Sequence, residues 1–332
     1  MLSLLTPSLA IILGFVVLVW GADKFVLGGA ASARCFGVSP MVIGLTIIGF
    51  GTSAPEMLVS AVAAFEGTPN LAIGNAIGSN ITNIALVLGV TAITTPLMVK
   101  SQILKREYPI MFAVMLLALL LMWDLRLDFT DGLILFSGLI IIMGWMVKIG
   151  LNENKASHSK TDKHDPLESE FDSEIPDIKL SLALFWLLFG FVLLLVSSKI
   201  LVWGAVSVAQ YFGVSELIIG LTIVALGTSL PELAATVMSA LKGEHDLAIG
   251  NIIGSNIFNL LAVIGIPALI TSIQLDENIL KRDFLSMIAI SFALFIMAYG
   301  FKGNGRINRL EGALLFSMYV AYISWIYISA IS

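Results

Sequence analysis

Residues 36–89 of this 332-residue chain occur a second time, at 212–265. FGVSPMVIGLTIIGFGTSAPE (36–56) returns as FGVSELIIGLTIVALGTSLPE (212–232), and LAIGNAIGSNITNIALVLG (71–89) returns as LAIGNIIGSNIFNLLAVIG (247–265). The offset is 176 throughout (232 − 56, 259 − 83), no gap is needed, and about half the aligned positions are identical. Self-similarity of this length marks a duplicated structural unit, and any fold must place the two copies in equivalent surroundings.

What the unit can be depends on its solvent. Hydrophobic residues make up 58% of the chain and charged residues 12%, about half the charged share of a soluble domain. So little polar surface cannot cover a water-soluble core, and most of the chain must face lipid. A helix needs about 20 apolar residues to cross the hydrocarbon. Ten spans are predicted, at 7–33, 40–65, 70–95, 107–123, 129–149, 180–210, 215–241, 246–272, 283–300 and 310–330. Each half holds five, and an odd number turns the second half over. The chain therefore reads as an all-α polytopic membrane protein: ten transmembrane helices in two inverted five-helix repeats, residues 1–149 and 180–332. Inverted repeats bring equivalent segments together at the bilayer midplane.

Between the halves, LNENKASHSKTDKHDPLESEFDSEIPDIKL (150–179) is polar and acidic and reads as a disordered linker. Basic residues give the orientation. With the N-terminus outside, the cytoplasmic side receives Arg34, Lys100, Lys105, Arg106, Lys148, Lys155, Lys160, Lys163, Lys179, Lys242, Lys302, Arg306 and Arg309. The outside receives only Arg126, Lys281 and Arg282. The positive-inside rule then predicts an outside N-terminus and a cytoplasmic linker, in a cell membrane such as a bacterial inner membrane. MLSLLTPSLAIILG lacks a positively charged n-region and reads as the first span rather than a cleaved leader. No basic stripe with interleaved aromatics appears, which argues against nucleic acid as a partner. Cys35 is the only cysteine, so an intrachain disulfide is excluded.

The repeated motifs carry the chemistry. Gly51-Thr52-Ser53-Ala54-Pro55-Glu56 and Gly227-Thr228-Ser229-Leu230-Pro231-Glu232 both sit in apolar sequence. Each proline removes the hydrogen bond to the carbonyl one turn earlier, and a freed carbonyl at membrane depth needs a partner, which a bound cation can be. A glutamate at mid-span costs about 3 kcal/mol even on lenient scales. Two at equivalent depth repel each other, and a divalent cation between them removes both penalties. At helical spacing Asn75, Ser79 and Asn83 share one face, as do Asn251, Ser255 and Asn259. Carboxylate, amide, hydroxyl and carbonyl are hard oxygen ligands, and no Cys or His accompanies them. That suits Ca²⁺ or Na⁺ and not Zn²⁺ or Cu⁺. Asn75, Asn80, Asn251 and Asn256 read equally well as ligands or as interhelical hydrogen-bond donors, and Gly74 and Gly78 as packing residues.

With GTSxPE and GNxxGSNxxN in both halves, the chain resembles the sodium/calcium exchanger branch of the calcium/cation antiporter superfamily, over nearly its whole length. The resemblance implies that Glu56 and Glu232 are the central carboxylates. It implies that Thr52 and Thr228 offer backbone carbonyls to calcium. Ser53, Ser79, Ser229 and Ser255 match side chains of flanking sodium sites, and Gly49 and Ala225 match positions with backbone oxygens there. Asn83 matches the family asparagine. Asn259 departs from the pattern, because many sodium/calcium exchangers carry Asp there. Two carboxylates remain, which balance one Ca²⁺. The family moves spans 1 and 6 across a fixed core, and the small residues Gly28-Gly29-Ala30-Ala31, Ser197-Ser198 and Gly204-Ala205 permit that here.

The leading expectation is an antiporter, not an enzyme, in which sodium entry expels calcium by alternating access. Its substrates are calcium and sodium ions, it needs no cofactor, and lipid is its surrounding partner; its oligomeric state is left open. The alternative is a proton-coupled calcium antiporter in which Glu56 and Glu232 take up protons. A permanently open channel fits inverted repeats poorly, and an intramembrane protease lacks a His or paired Asp within the spans.

Overall fold

In lipid every backbone polar group must be satisfied inside its own segment or against protein, so long apolar runs become helices. The computed structural model describes residues 2–158, 178–212, 225–299 and 305–331. It is mostly helical. In chain order, α1 (Leu2–Phe36) is followed by α2 (Pro40–Ile43), a π-helix π1 (Gly44–Ile48) and α3 (Gly49–Phe65), then by α4 (Pro69–Ile81), π2 (Thr82–Leu88) and α5 (Gly89–Thr94). Next come β1 (Leu97–Val99), α6 (Ser101–Lys105), α7 (Glu107–Leu121), β2 (Arg126–Leu127) and α8 (Phe129–His158). The second half holds α9 (Leu180–Tyr211), α10 (Ala225–Thr228), α11 (Leu230–Leu241), α12 (His245–Phe258), π3 (Asn259–Val263) and α13 (Gly265–Ile270). The chain ends with β3 (Ile273–Gln274), π4 (Ile279–Phe284), α14 (Leu285–Ala298), β4 (Gly305–Ile307) and α15 (Arg309–Ile331).

Among the described residues, seven continuous helical stretches are long and apolar enough to cross a membrane: Leu4–Phe36, Met41–Phe65, Pro69–Thr94, Phe129–Ile149, Leu180–Tyr211, His245–Ile270 and Arg309–Ser329. Three predicted spans are shorter or partly outside the described residues. α7 has 15 residues, α14 has 14 after π4, and of 215–241 only residues 225–241 are described.

Burial separates a centre from a periphery. In the most apolar stretch of α4–α5 and of α12–α13, 83% and 89% of residues are buried, against 22% in α1 and 28% in α9. The larger core gathers around the central pair and includes Ile73, Ile77, Ile81 and Ile84 from the first half and Ile249, Ile253, Ile257 and Leu261 from the second. A second, separate core lies along α1 and α9 and includes Leu18, Phe25, Leu187 and Leu194. These two helices lie against each other over much of their length. Their closeness depends on glycines. A Cβ on Gly28 would overlap the backbone of Leu187, and one on Gly204 would lie 2.7 Å from the Pro7 carbonyl and 3.2 Å from the Ile11 nitrogen. Gly204 stands 176 residues after Gly28, and Leu187 stands 176 after Ile11. The two crossings are the same contact made twice.

Three expectations change. The all-α description gains two short antiparallel strand pairs, β1 with β4 (Leu97↔Ile307) and β2 with β3 (Arg126↔Gln274), formed where connections between helices run alongside each other. Of the linker predicted for 150–179, residues 150–158 are helical, because α8 continues to His158; residues 159–177 lie outside the described residues. The π-helices were not anticipated. π2 begins one residue before Asn83 and π3 begins at Asn259, and such widened turns gather at functional sites.

Candidate ion site

α3 carries Thr52, Ser53 and Glu56; α10 and α11 carry Thr228 and Glu232 on either side of Ser229. They meet α4–π2, which carries Ser79 and Asn83, and α12–π3, which carries Ser255 and Asn259. Small residues let these helices approach. A Cβ on Gly254 would overlap the Leu45 carbonyl, and one on Gly49 would lie 3.1 Å from the Ser255 nitrogen. That close approach sets the backbone of the Gly49 turn directly against Ser255. By contrast, a Cβ on Gly74 or Gly78 meets nothing within 4 Å among the described residues.

Glu56 and Glu232 are each 1% exposed. Both carboxyl oxygens of Glu56 and Oε2 of Glu232 have no hydrogen-bond partner among the described residues. Oε1 of Glu232 accepts from Ser53 Oγ at 3.4 Å. Thr228 sits beside the Glu56 carboxyl, and Thr52 beside that of Glu232. None of the ion pairs among the described residues involves either glutamate. A charged carboxylate buried with only neighbouring hydroxyls and no counter-charge is strongly unfavourable. Two of them facing one interior require protons or a cation.

The neutral groups around them are mostly engaged. Thr52 Oγ1 lies 3.1 Å from Asn251 Oδ1, to which it donates, and 3.2 Å from Ser255 Oγ. Asn251 Nδ2 donates to Thr236 Oγ1 at 2.9 Å, and Asn75 Nδ2 makes longer contacts of 3.5 Å to Ser60 Oγ and the Glu56 carbonyl. Asn75 and Asn251 therefore tie neighbouring helices together. Ser79, Ser229 and Ser255 are buried. Gly49 is buried, and its carbonyl faces Thr52 Oγ1 at 3.5 Å. Ala225 begins α10. Asn83 Nδ2 donates to Asn256 Oδ1 at 3.2 Å, and Asn259 Nδ2 donates to Asn80 Oδ1 at 3.0 Å. The other amide atom of each, Asn83 Oδ1 and Asn259 Oδ1, is buried without a partner among the described residues.

One carbonyl freed by a motif proline is already occupied. Pro231 frees the Gly227 carbonyl, four residues earlier, and Ser198 Oγ of α9 donates to that oxygen at 2.8 Å. The sequence reading treated Ser197-Ser198 only as a smooth helix face. The crosswise use of Asn80 and Asn256 was also missed as a specific pattern. The available signal was the offset: the two bonds, Asn83 to Asn256 and Asn259 to Asn80, are the same bond under a shift of 176.

The fold and site define a multi-pass membrane protein with duplicated, buried acidic motifs. Comparison with known proteins places it further. The family model described as sodium/calcium exchanger protein matches residues 7–148 and 182–328. CaxA of Alkalimonas amylolytica is 45% identical over 320 residues, 96% of this chain and 98% of that protein. The inner membrane protein YrbG of Escherichia coli is 36% identical over 325 residues, 98% of both chains. Among solved structures, the sodium-calcium exchanger NCX_Mj soaked with zero Na⁺ and Ca²⁺ superposes with a TM-score of 0.81 at 31% identity, covering 97% of this chain and 99% of that one. The chain belongs to the sodium/calcium exchanger protein family, a family of cation antiporters.

Proposed function

We propose that this protein exchanges Ca²⁺ for Na⁺ across the membrane by alternating access, with Glu56 and Glu232 as the shared charge centre. The observation that carries this reading is the pair of buried carboxylates, one from each copy of the repeat, with three of their four oxygens unpartnered among the described residues. One Ca²⁺ neutralises both. Calcium takes about 6–8 oxygens. The carboxylates, the Asn83 and Asn259 amide oxygens and the backbone oxygens of Thr52 and Thr228 supply that number with water. Ser53, Ser229, Ser79 and Ser255, with the backbone oxygens of Gly49 and Ala225, serve sodium on either side. NCX_Mj is named a sodium-calcium exchanger, which supports sodium as the coupling ion.

The architecture proposed for this activity is ten spans in two inverted repeats, residues 1–149 and 180–332, around a cytoplasmic linker, with the N-terminus outside. The repeated glycine crossings of α1 with α9 support it, as does the 176-residue reciprocity of the asparagine bonds. α1 and α9, with their own core, are the pair that moves.

The deciding measurement is ⁴⁵Ca²⁺ uptake into proteoliposomes of the purified protein under imposed Na⁺, K⁺ or H⁺ gradients. An outward Na⁺ gradient is expected to drive uptake. Uptake driven by a proton gradient and indifferent to sodium would instead establish the proton-coupled alternative. Orientation has its own test. In a Cys35→Ser background, a cysteine placed in 159–177 is expected to be shielded from an impermeant thiol reagent in intact cells.

A further inference from the structure

Asn80 and Asn256 do more than link helices. Asn80 is fully buried, with its Nδ2 3.3 Å from the Asn256 carbonyl and 3.4 Å from the thioether sulfur of Met287 on α14. Its Oδ1 faces Asn259 Nδ2. Asn256, also fully buried, has its Nδ2 3.7 Å from the sulfur of Met111 on α7, and its Oδ1 faces Asn83 Nδ2. Met287 stands 176 residues after Met111, so the same three-residue chain is built twice.

The polarity of that chain follows from its first member. A thioether sulfur accepts a weak hydrogen bond and donates none. The amide end that faces it is the NH₂, and for Asn80 the Asn256 carbonyl imposes the same choice. The carbonyl end of Asn80 is thereby turned to Asn259. An acceptor there draws the NH₂ of Asn259, which leaves only the Asn259 oxygen for the remaining direction. Asn256 imposes the same order on Asn83. A reversed amide would aim a donor at the cation, so the error is a change of sign and not a small misalignment.

We infer that Met287–Asn80 and Met111–Asn256 are positioning pairs that fix the amides of Asn259 and Asn83 with oxygen, and not nitrogen, toward the transported cation. This rests on the cation-exchange reading above and deepens it. It also gives the asparagine at 259 a structural requirement. A carboxylate at this position presents oxygen in either orientation and needs no such guide, whereas an amide does. Asn80 is thus matched to the residue by which this chain departs from exchangers that carry Asp here.

The test is a double-mutant cycle in purified protein, with the Ca²⁺ concentration for half-maximal ⁴⁵Ca²⁺ binding and uptake as readouts. Asn80→Leu keeps the volume and removes the acceptor. It is expected to weaken Ca²⁺ about tenfold when residue 259 is Asn, because a buried donor then loses its partner. In an Asn259→Asp background the same change is expected to cost less than about threefold. A purely structural role for Asn80 predicts equal costs in both backgrounds, and that result overturns the inference. If Asn80→Leu does not fold, Met287→Leu takes its place. It keeps the packing and removes the sulfur, with about a threefold loss expected beside Asn259 and none beside Asp at 259; equal losses again overturn it. A wild-type protein that neither binds nor moves Ca²⁺ overturns the proposed exchange and this inference together, whereas equal costs in a working exchanger overturn the inference alone.

Discussion

In the first half, the helix carrying Glu56 runs unbroken from Gly49 to Phe65, with Pro55 inside it. In the second, the helix stops at Thr228, turns at Ser229 and restarts at Leu230, with Pro231 in the first turn of α11. Proline is expected to break a helix interior and is tolerated in a first turn; here the same Gly-Thr-Ser-x-Pro-Glu motif shows both outcomes. The neighbours differ. Ser198 of α9 bonds the carbonyl that Pro231 frees, while the equivalent residue of α1 is Ala22, which has no hydroxyl. α1 also lies along α11, with Asp23 bonded to Lys242 at 2.7 Å, whereas α9 meets α3 at only a few points. The motif therefore takes two shapes, and the flanking helix pair selects between them. On the alternating-access mechanism proposed above, the two halves would exchange these shapes as the site turns from one side of the membrane to the other.

The strongest way to break the comparison is at the carboxylates, where the halves are most alike. Glu56→Gln and Glu232→Gln are each expected to reduce calcium exchange by at least about 100-fold, since removing one partner of a buried charge constellation costs about 3–5 kcal/mol. Uptake assays on both purified variants decide it; near-normal flux in either would show that the two halves do not share one charge centre. The next effect is on packing. Gly28→Leu and Gly204→Leu are each expected to destabilise the α1–α9 crossing by about 1–3 kcal/mol. Thermal unfolding in detergent should show both variants melting several degrees below the parent. Gly74→Ala, where nothing stands in the way, should melt with the parent. Unequal losses at Gly28 and Gly204 would mean that the pseudo-two-fold relation fails at this crossing.

The helical membrane character and the buried acidic motifs were legible in the sequence. A glutamate in an apolar run stands out because lipid offers it no solvent, and a constant offset marks the two motif copies as equivalent. Features set by tertiary contact were not legible. Nothing in Thr82–Leu88 or Asn259–Val263 announces a π-helix, since the widened turn is stabilised by what packs on it. The role of Ser198 depends on a carbonyl 29 residues away. In sequence Asn80 reads equally well as ligand or brace, and only the sulfur of Met287 and the Asn256 carbonyl, on other helices, mark it as a brace.

Ser198 sharpens the comparison at a single atom. Ser198→Ala makes α9 resemble α1 at this point and leaves the Gly227 carbonyl without its donor. The expected cost is about 1 kcal/mol, read as roughly a fivefold fall in the exchange rate at saturating ions. Ala22→Ser, which offers the first half the same hydroxyl, should change the rate while leaving Ca²⁺ affinity within about twofold. A rate unmoved by both substitutions would remove the side-chain bond as a cause of the difference between the halves.

The smallest expected effect concerns charge. Lys242 and Asp23 are 27% and 30% exposed, and ion pairs in such partly wet positions contribute about 0.2–1 kcal/mol. Asp23 also keeps a second partner in Lys24 at 3.0 Å, whose ammonium lies 5.3 Å from the centre of the Trp186 ring. Losing Lys242 therefore leaves Asp23 partly satisfied. The equivalents under the 176-residue shift have opposite sign, Lys199 for Asp23 and Glu66 for Lys242. Both are exposed, and no ion pair joins them among the described residues. The present shape thus gains from one pair and not from its counterpart. Lys242→Ala should shift the balance between the two shapes by about two- to fivefold away from the one described. Lys199→Ala should shift it by a similar factor in the opposite direction, because it weakens only the shape in which α9 closes on α3. The balance is read from the rate at which a cysteine at Ser53 reacts with a small thiol reagent added from one side, in a Cys35→Ser background. A double reversal, Asp23→Lys with Lys242→Asp, should recover only part of the parental rate, because it re-forms the pair but sets a second ammonium beside Lys24. Parallel shifts from the two lysine variants would show that both act through general surface charge and that neither pair discriminates between the shapes.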